Sequence, residues 1–259
     1  MTTTRRQVLA ASVVPAAALA SLLAGAPAAQ AVPVPTAVAS AATATAHRAA
    51  APVALPAATA SSTTLRVGSK GKAVLAAQKR LAALGYWLGK PDGVYGSATA
   101  HAVIALQKVA GLSRDGVLGP RTAKALAAGT KPTARSKHGY AAEVDLRHQV
   151  LLMVRNGHVS LIFDASTGSG RYYTSRGRLH HAVTPKGTYH VYYVVNGWDP
   201  GPLGRLYRPR YFNGGIAVHG YPSVPTAPAS HGCVRVTLGA MDHIWSAKLL
   251  PMGRTVLVR

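Results

Sequence analysis

From about residue 65 onward, apolar residues recur with two different periods, and the change between them divides the chain. Val74, Leu75, Gln78, Leu81 and Leu84 fall at helical spacing, and Gly85 stops that run. Ala102, Val103, Leu106 and Val109 mark a second helix with Gly111 at its end. A third, short helix is expected from about Pro120 to Ala127, because proline suits the first helical turn. Past Ala141 the period shortens. Runs at 150–154, 159–163 and 189–195 are apolar or alternating and rich in β-branched and aromatic residues, and Asn156-Gly157 is a hairpin turn between the first two. Residues 255–258 supply a closing strand. One helix is expected over 238–249, capped by Thr237 and ended by Pro251 and Gly253. The fold class is therefore α+β multidomain, a small three-helix bundle followed by a mainly antiparallel β-sandwich.

The helical segment contains a repeat. Asp92-Gly93-Val94-Tyr95-Gly96-x-x-Thr99 recurs as Asp115-Gly116-Val117-Leu118-Gly119-x-x-Thr122, each copy joining an Asp-Gly turn to a helix start. Val94 and Val117 are expected to cap a small core. Asp92 and Asp115 are expected to satisfy turn backbone, since no third carboxylate accompanies either one to hold calcium. Tyr86 and Trp87 are expected as core or groove-edge aromatics. The unit spans residues 65–128, near the lower size for independent folding.

Before it, residues 1–31 read as an export signal. Arg5-Arg6 precedes an apolar stretch, and Ala29-Gln30-Ala31 is a small-x-small cleavage site; the residues around Arg5-Arg6 are twin-arginine-like. Residues 32–64 are an Ala/Pro/Thr-rich disordered tether without hydrophobic periodicity. Residues 129–139 are a polar, basic linker, and 140–259 form the second folded domain. No stable membrane span is expected in the mature chain.

Composition adds a formal charge of +22, from 29 basic against 7 acidic residues. Such a surface attracts polyanions. Export and the absence of any nucleic-acid-binding motif exclude nucleic acid, which leaves anionic cell-wall polymers as candidate partners.

The chemistry concentrates in Ile216-Ala-Val-His219-Gly220 and Ser230-His231-Gly232-Cys233-Val-Arg235, which holds the one cysteine of the chain. A single cysteine forms no intramolecular disulfide. A thiol with glycine-flanked histidines has a base to generate thiolate and small neighbours that leave sulfur approachable. The plainer alternative is a buried, inert cysteine. Zinc is the rival chemistry, with His219, His231 and Cys233 joined by His180, His181 or His190. Their spacing matches no zinc motif, and no acidic residue lies within 216–235 to act as base, so neither metal nor cofactor is expected.

Two stretches carry a family resemblance. Arg66-x-Gly-Ser-x-Gly71, Leu84-Gly-Tyr86, Gln107, Gly111-Leu112 and the doubled Asp-Gly turn resemble a three-helix peptidoglycan-binding domain, which implies wall binding in the groove between helices. Ser166-Thr167-Gly168, Thr184-Pro185-x-Gly187, His219-Gly220 and Ser230-His-Gly-Cys-x-Arg235 resemble the L,D-transpeptidase (YkuD-like) catalytic domain over about residues 140–259. The resemblance implies an exported, cell-wall-associated enzyme that forms 3–3 peptidoglycan cross-links through a cysteine thioester, with stem peptides and glycan as partners. It makes Cys233 the nucleophile and His219 the base. The imidazole tautomer is then expected to be fixed by the Gly220 carbonyl, and the oxyanion to sit against amides near Gly232 and Cys233. His231 either shapes the loop or contacts substrate. Arg235 shares the face of Cys233 on a strand and suits a stem carboxylate; Ser230 is expected beside it on the substrate side, supporting the turn rather than reacting. An imidazolium partner would make the thiol more acidic than free cysteine. Two other functions share this sequence: an L,D-carboxypeptidase or hydrolase using the same cysteine, and a non-catalytic wall-binding protein.

Overall fold

The computed structural model describes residues 64–259. The signal expected over 1–31, and all but the last residue of the tether expected over 32–64, lie outside the described residues. Three helices open the structure: α1 (Lys72–Ala83), α2 (Ser97–Val109) and α3 (Pro120–Ala127). Each Asp-Gly turn is clamped by a buried glutamine from the preceding helix. Gln78 Nε2 donates to Asp92 Oδ1 at 2.9 Å, and its Oε1 accepts from the Gly93 amide at 2.7 Å. Gln107 does the same for Asp115 at 2.7 Å and the Gly116 amide at 2.9 Å. The aspartates accept from the Val94 and Val117 amides at 2.8 and 2.9 Å, so both do satisfy turn backbone. That bond turns the valines away from the core. Val94 is 41% exposed and Val117 half-buried, while the next residues, Tyr95 and Leu118, are buried in their place. The expectation that the two valines cap the core is corrected accordingly.

The rest of the chain is β1 (Tyr140–Asp145), β2 (Val150–Arg155), β3 (His158–Asp164), β4 (Tyr172–Ser175), β5 (Arg178–His181), β6 (Gly187–His190) and β7 (Tyr193–Val194). After these come β8 (Trp198–Gly201), β9 (Gly204–Asn213), β10 (Ile216–Tyr221), β11 (Val234–Thr237), α4 (Leu238–Ser246) and β12 (Thr255–Val258). One sheet runs β3-β2-β1-β12-β6 and the other β11-β10-β9-β7, with β8 on β9 and a separate β4-β5 hairpin. Most pairs are antiparallel, but β1-β12 and β10-β11 are parallel. The run expected as one strand over 189–195 is two. The Val191 amide bonds to Arg254 O in the first sheet, and the next amide, of Tyr192, bonds to Tyr211 O in the second. The chain changes sheets between those residues. As expected, Thr237 caps α4, its hydroxyl accepting from the Ala240 amide at 3.1 Å; the helix ends at Ser246, short of the expected Leu249.

The helical segment and the first sheet share a core. Val150, Leu152, Val154 and Ile162 belong to the same buried cluster as Val74, Leu81 and Leu106. The chain after α1 also lies along β3: Ile162 donates to Gly85 O at 2.8 Å and accepts from the Trp87 amide at 3.0 Å. Trp87 is an aromatic of this junction, its ring 5.9 Å from both Phe163 and His243. Residues 129–139 are also held, because the Arg135 and Ser136 amides donate to the buried Glu143 carboxylate. A second cluster between the sheets contains Val218, Val234, Val236, Met241 and Ile244, and it supports the site from below. No helix among the described residues is long and apolar enough to cross a membrane.

Candidate active site

Alternation along two parallel neighbours assembles the site. On β10, Val218 points into the core, so His219 points to the opposite face; on β11, Val234 and Val236 point inward, so Cys233 and Arg235 face out. The register opposes Val218 to Val234 and His219 to Arg235. His219, Cys233 and Arg235 therefore share one side of the sheet and line one small cleft with Tyr221, Ser230, His231, Leu203, Arg205 and Leu206. Parallel strands need a crossover of about a dozen residues. Residues 222–233 are that crossover, and they carry the cysteine.

Each part of the motif has a visible position. His219 is 3% exposed, and its Nδ1 lies 2.9 Å from the Gly220 carbonyl. A carbonyl only accepts, so Nδ1 carries the hydrogen and Nε2 keeps its lone pair for a proton. Gly220 itself is confined: a Cβ there would lie 2.9 Å from Tyr207 Cδ1 and 3.0 Å from Met241 Cβ. Gly232 has φ +137°, and a Cβ would lie 2.8 Å from Val183 O, so neither backbone nor space admits another residue. The Ser230 hydroxyl donates to Cys233 O at 2.6 Å and accepts from the Gly232 amide at 3.0 Å. Both interactions bind the loop to itself. The Gly232 amide is thus already engaged, and the Gly232 carbonyl is held by Thr184 Oγ1 at 2.6 Å. His231 is exposed on the rim, edge-on to Tyr173 with centroids 4.5 Å apart. Arg235 lies 4.3 Å over the Tyr221 ring, its buried Nε without a hydrogen-bond partner.

The electrostatics run opposite to the ion pair expected from the sequence. Burial pushes the His219 pKa down to about 4; the Gly220 carbonyl opposes this, and the Arg235 cation adds to it. Burial raises the Cys233 thiol, and the Ala217 amide and Arg235 offset this only in part. The thiol donates to Gly215 O at 3.6 Å. Both groups are neutral at rest, since a dry cleft disfavours either charge.

The structure brings His219, Ser230, His231, Cys233 and Arg235, all expected from the sequence, to one cleft, together with neighbours the sequence did not indicate. Tyr221, two residues beyond His219 on the same strand face, was findable by alternation. Gln149, Tyr173 and the β9 wall were not, because nothing local marks them. Among the described residues, no three His, Cys, Asp or Glu side chains converge as metal ligands.

The peptidoglycan binding domain model matches residues 70–126, and the L,D-transpeptidase catalytic domain (YkuD) model matches residues 139–258. A solved L,D-transpeptidase from Xylanimonas cellulosilytica (residues 123–326) is 49% identical, with a TM-score of 0.74 over 76% of this chain and 98% of that one. The chain belongs to the L,D-transpeptidase family. Two curated proteins match a shorter part of the chain. The N-acetylmuramoyl-L-alanine amidase CwlL of Bacillus licheniformis is 49% identical over 82 residues, 30% of this chain and 23% of that protein. A probable N-acetylmuramoyl-L-alanine amidase of the same organism is 45% identical over 84 residues, 29% of this chain and 24% of it. The chain thus spans about a quarter of the length of these curated relatives. This L,D-transpeptidase family member carries a peptidoglycan-binding domain and a catalytic domain of the α+β type expected.

Proposed function

We propose that the protein acts outside the membrane on the cell wall as a peptidoglycan L,D-transpeptidase, forming 3–3 cross-links through a thioester on Cys233. The observation that carries this reading is one face of the β10-β11 pair bearing a thiol, an imidazole with its Nε2 lone pair free by tautomer, and a guanidinium without a carboxylate partner among the described residues. Arg235 binds a carboxylate of the donor stem and sets the peptide over the sulfur. Cys233 Sγ attacks the carbonyl between the third residue and the D-Ala at position four, and its proton passes to His219 Nε2. The C–N bond breaks, D-Ala leaves with that proton, and the acyl group remains on sulfur. A side-chain amine of a second stem attacks the thioester and gives its proton to His219. Sulfur departs and is reprotonated, which restores the resting pair. With the Gly232 amide engaged by Ser230, the Cys233 amide is the nearest donor for the oxyanion.

Transpeptidation needs room for two stems, and two larger clefts flank the site. One, of about 460 Å³, lies between Tyr173, Arg178 and His180 of the β4-β5 hairpin and Leu203. The other, of about 360 Å³, lies on the far side of His231, against Arg171, Tyr172 and Pro228. This favours an amine acceptor over water. Incubation with tetrapeptide muropeptides, read by mass, tests it. Dimers that have lost one D-Ala are expected, and Cys233→Ala should make none. Tripeptide monomers alone would make the protein a carboxypeptidase, and no product would leave a wall-binding protein.

A further inference from the structure

The helical segment reaches into the platform on which the cysteine loop rests. Lys108 of α2 is 1% exposed, and its Nζ lies 2.5 Å from Asp164 Oδ1 at the end of β3. The same ammonium donates to Ala165 O at 2.8 Å and to Gln149 O at 3.2 Å. All three acceptors are in the catalytic domain, and each leads toward the loop. Ser166, next to Ala165, exchanges both backbone bonds with Arg235, at 3.0 and 2.9 Å. Gln149 holds Thr167 through the Thr167 amide at 2.9 Å and Oγ1 at 2.8 Å. Thr167 O in turn accepts from the Ala229 and Ser230 amides, both at 3.0 Å. A second tie is direct: Arg114, in the turn after α2, donates to Thr226 O of the crossover at 2.8 Å.

A buried lysine is poor at adding stability, because the desolvation of two ions offsets their attraction; a packed apolar pair often does as well. An ammonium can, however, hold three oxygens in one fixed arrangement, which an apolar side chain cannot. We propose that Lys108 and Arg114 are positioning residues for the cysteine loop, so that the wall-binding segment is a working part of the active site as well as an anchor. This rests on the reading of Cys233 and Arg235 given above. Lys108 fixes segment 164–167, which sets the height of Arg235 and of the Ser230 end of the loop, and Arg114 fixes the crossover from its other side.

The test uses the full chain. Lys108→Met/Asp164→Leu removes the charged pair together, leaving neither ion buried alone and releasing only the partly exposed His101, whose Nδ1 lies 2.6 Å from Asp164 Oδ2; Arg114→Ala removes the direct tie at a half-buried site. Both should melt close to the parent while kcat for muropeptide cross-linking falls roughly ten- to a hundredfold at little-changed KM, the scale of a reacting group misplaced by up to about 1 Å. Arg114→Lys, which keeps one donor, should recover part of the loss. The rate at which iodoacetamide alkylates Cys233 should change in the same variants. Parent-like kcat and alkylation in folded variants would overturn the proposal. If the double variant does not fold, the Arg114 pair decides. If the parent makes no product, the reading of the site fails, and the alkylation arm, which needs no turnover, still decides whether these residues position the sulfur.

Discussion

His219 and Cys233 are held neutral by the same burial, and that shared cause makes two results separable. The Cys233 thiol is raised, so its alkylation by iodoacetamide should titrate above the roughly 8.5 of free cysteine. An inflexion below pH 7 would mean that the resting pair is thiolate and imidazolium. The imidazole, with its pKa near 4 against 6.5 in the unfolded chain, takes up no proton in the native state between those values while the unfolded state does. Its contribution is therefore complete above about pH 6.5 and is lost as pH falls toward 4. In that window the parent should lose a few kcal/mol, to order of magnitude, that His219→Gln does not lose, checked by urea melts at pH 7 and 4.5. Gly232→Ala meets a positive φ and a carbonyl at once. It should abolish turnover and destabilise the loop, which limited proteolysis near residues 226–235 would report.

At the level of elements, each Asp-Gly turn depends on one glutamine more than on its own aspartate. Gln107→Leu leaves the Gly116 amide and Asp115 without their buried partner, so about 2–4 kcal/mol of stability should go, read from denaturant midpoints at unchanged slope. A variant within 0.5 kcal/mol of the parent, on the same order-of-magnitude scale, would contradict that role. Gln107 also marks where the sequence was legible. Periodicity put Gln78 on the inner face of α1, and local signals placed α3 from Pro120 and the start of α4 with its Thr237 cap. It found the β2-β3 hairpin and, through alternation and a specific motif, candidate residues that share one cleft. It could not see what the buried glutamines bind, since partners in a turn eight to fifteen residues away leave no periodic trace. The β4-β5 hairpin escaped because its alternation is entirely exposed or half-buried. β9 escaped because Pro209 and its arginines disguise the longest strand of the second sheet. The break at Val191 escaped because an apolar run does not record which sheet each half joins.

Over residues 64–259, the shared cluster of helices and β2-β3 means that neither segment closes its core alone. Helical and strand signals should be lost in one cooperative transition. A fragment of residues 139–259 would expose Val150, Leu152, Val154 and Ile162, and should be markedly less stable or aggregate; a fragment with the parent's melting behaviour would refute the shared core. The position of β12 has a consequence in time. It lies between β1 and β6 in the sheet order, parallel to the first strand of its domain. Until residues 255–258 pair with β1, β6 has no edge in that sheet to join. The sheet therefore stays open until that contact forms, and this half closes slowly, as long-range parallel pairing requires.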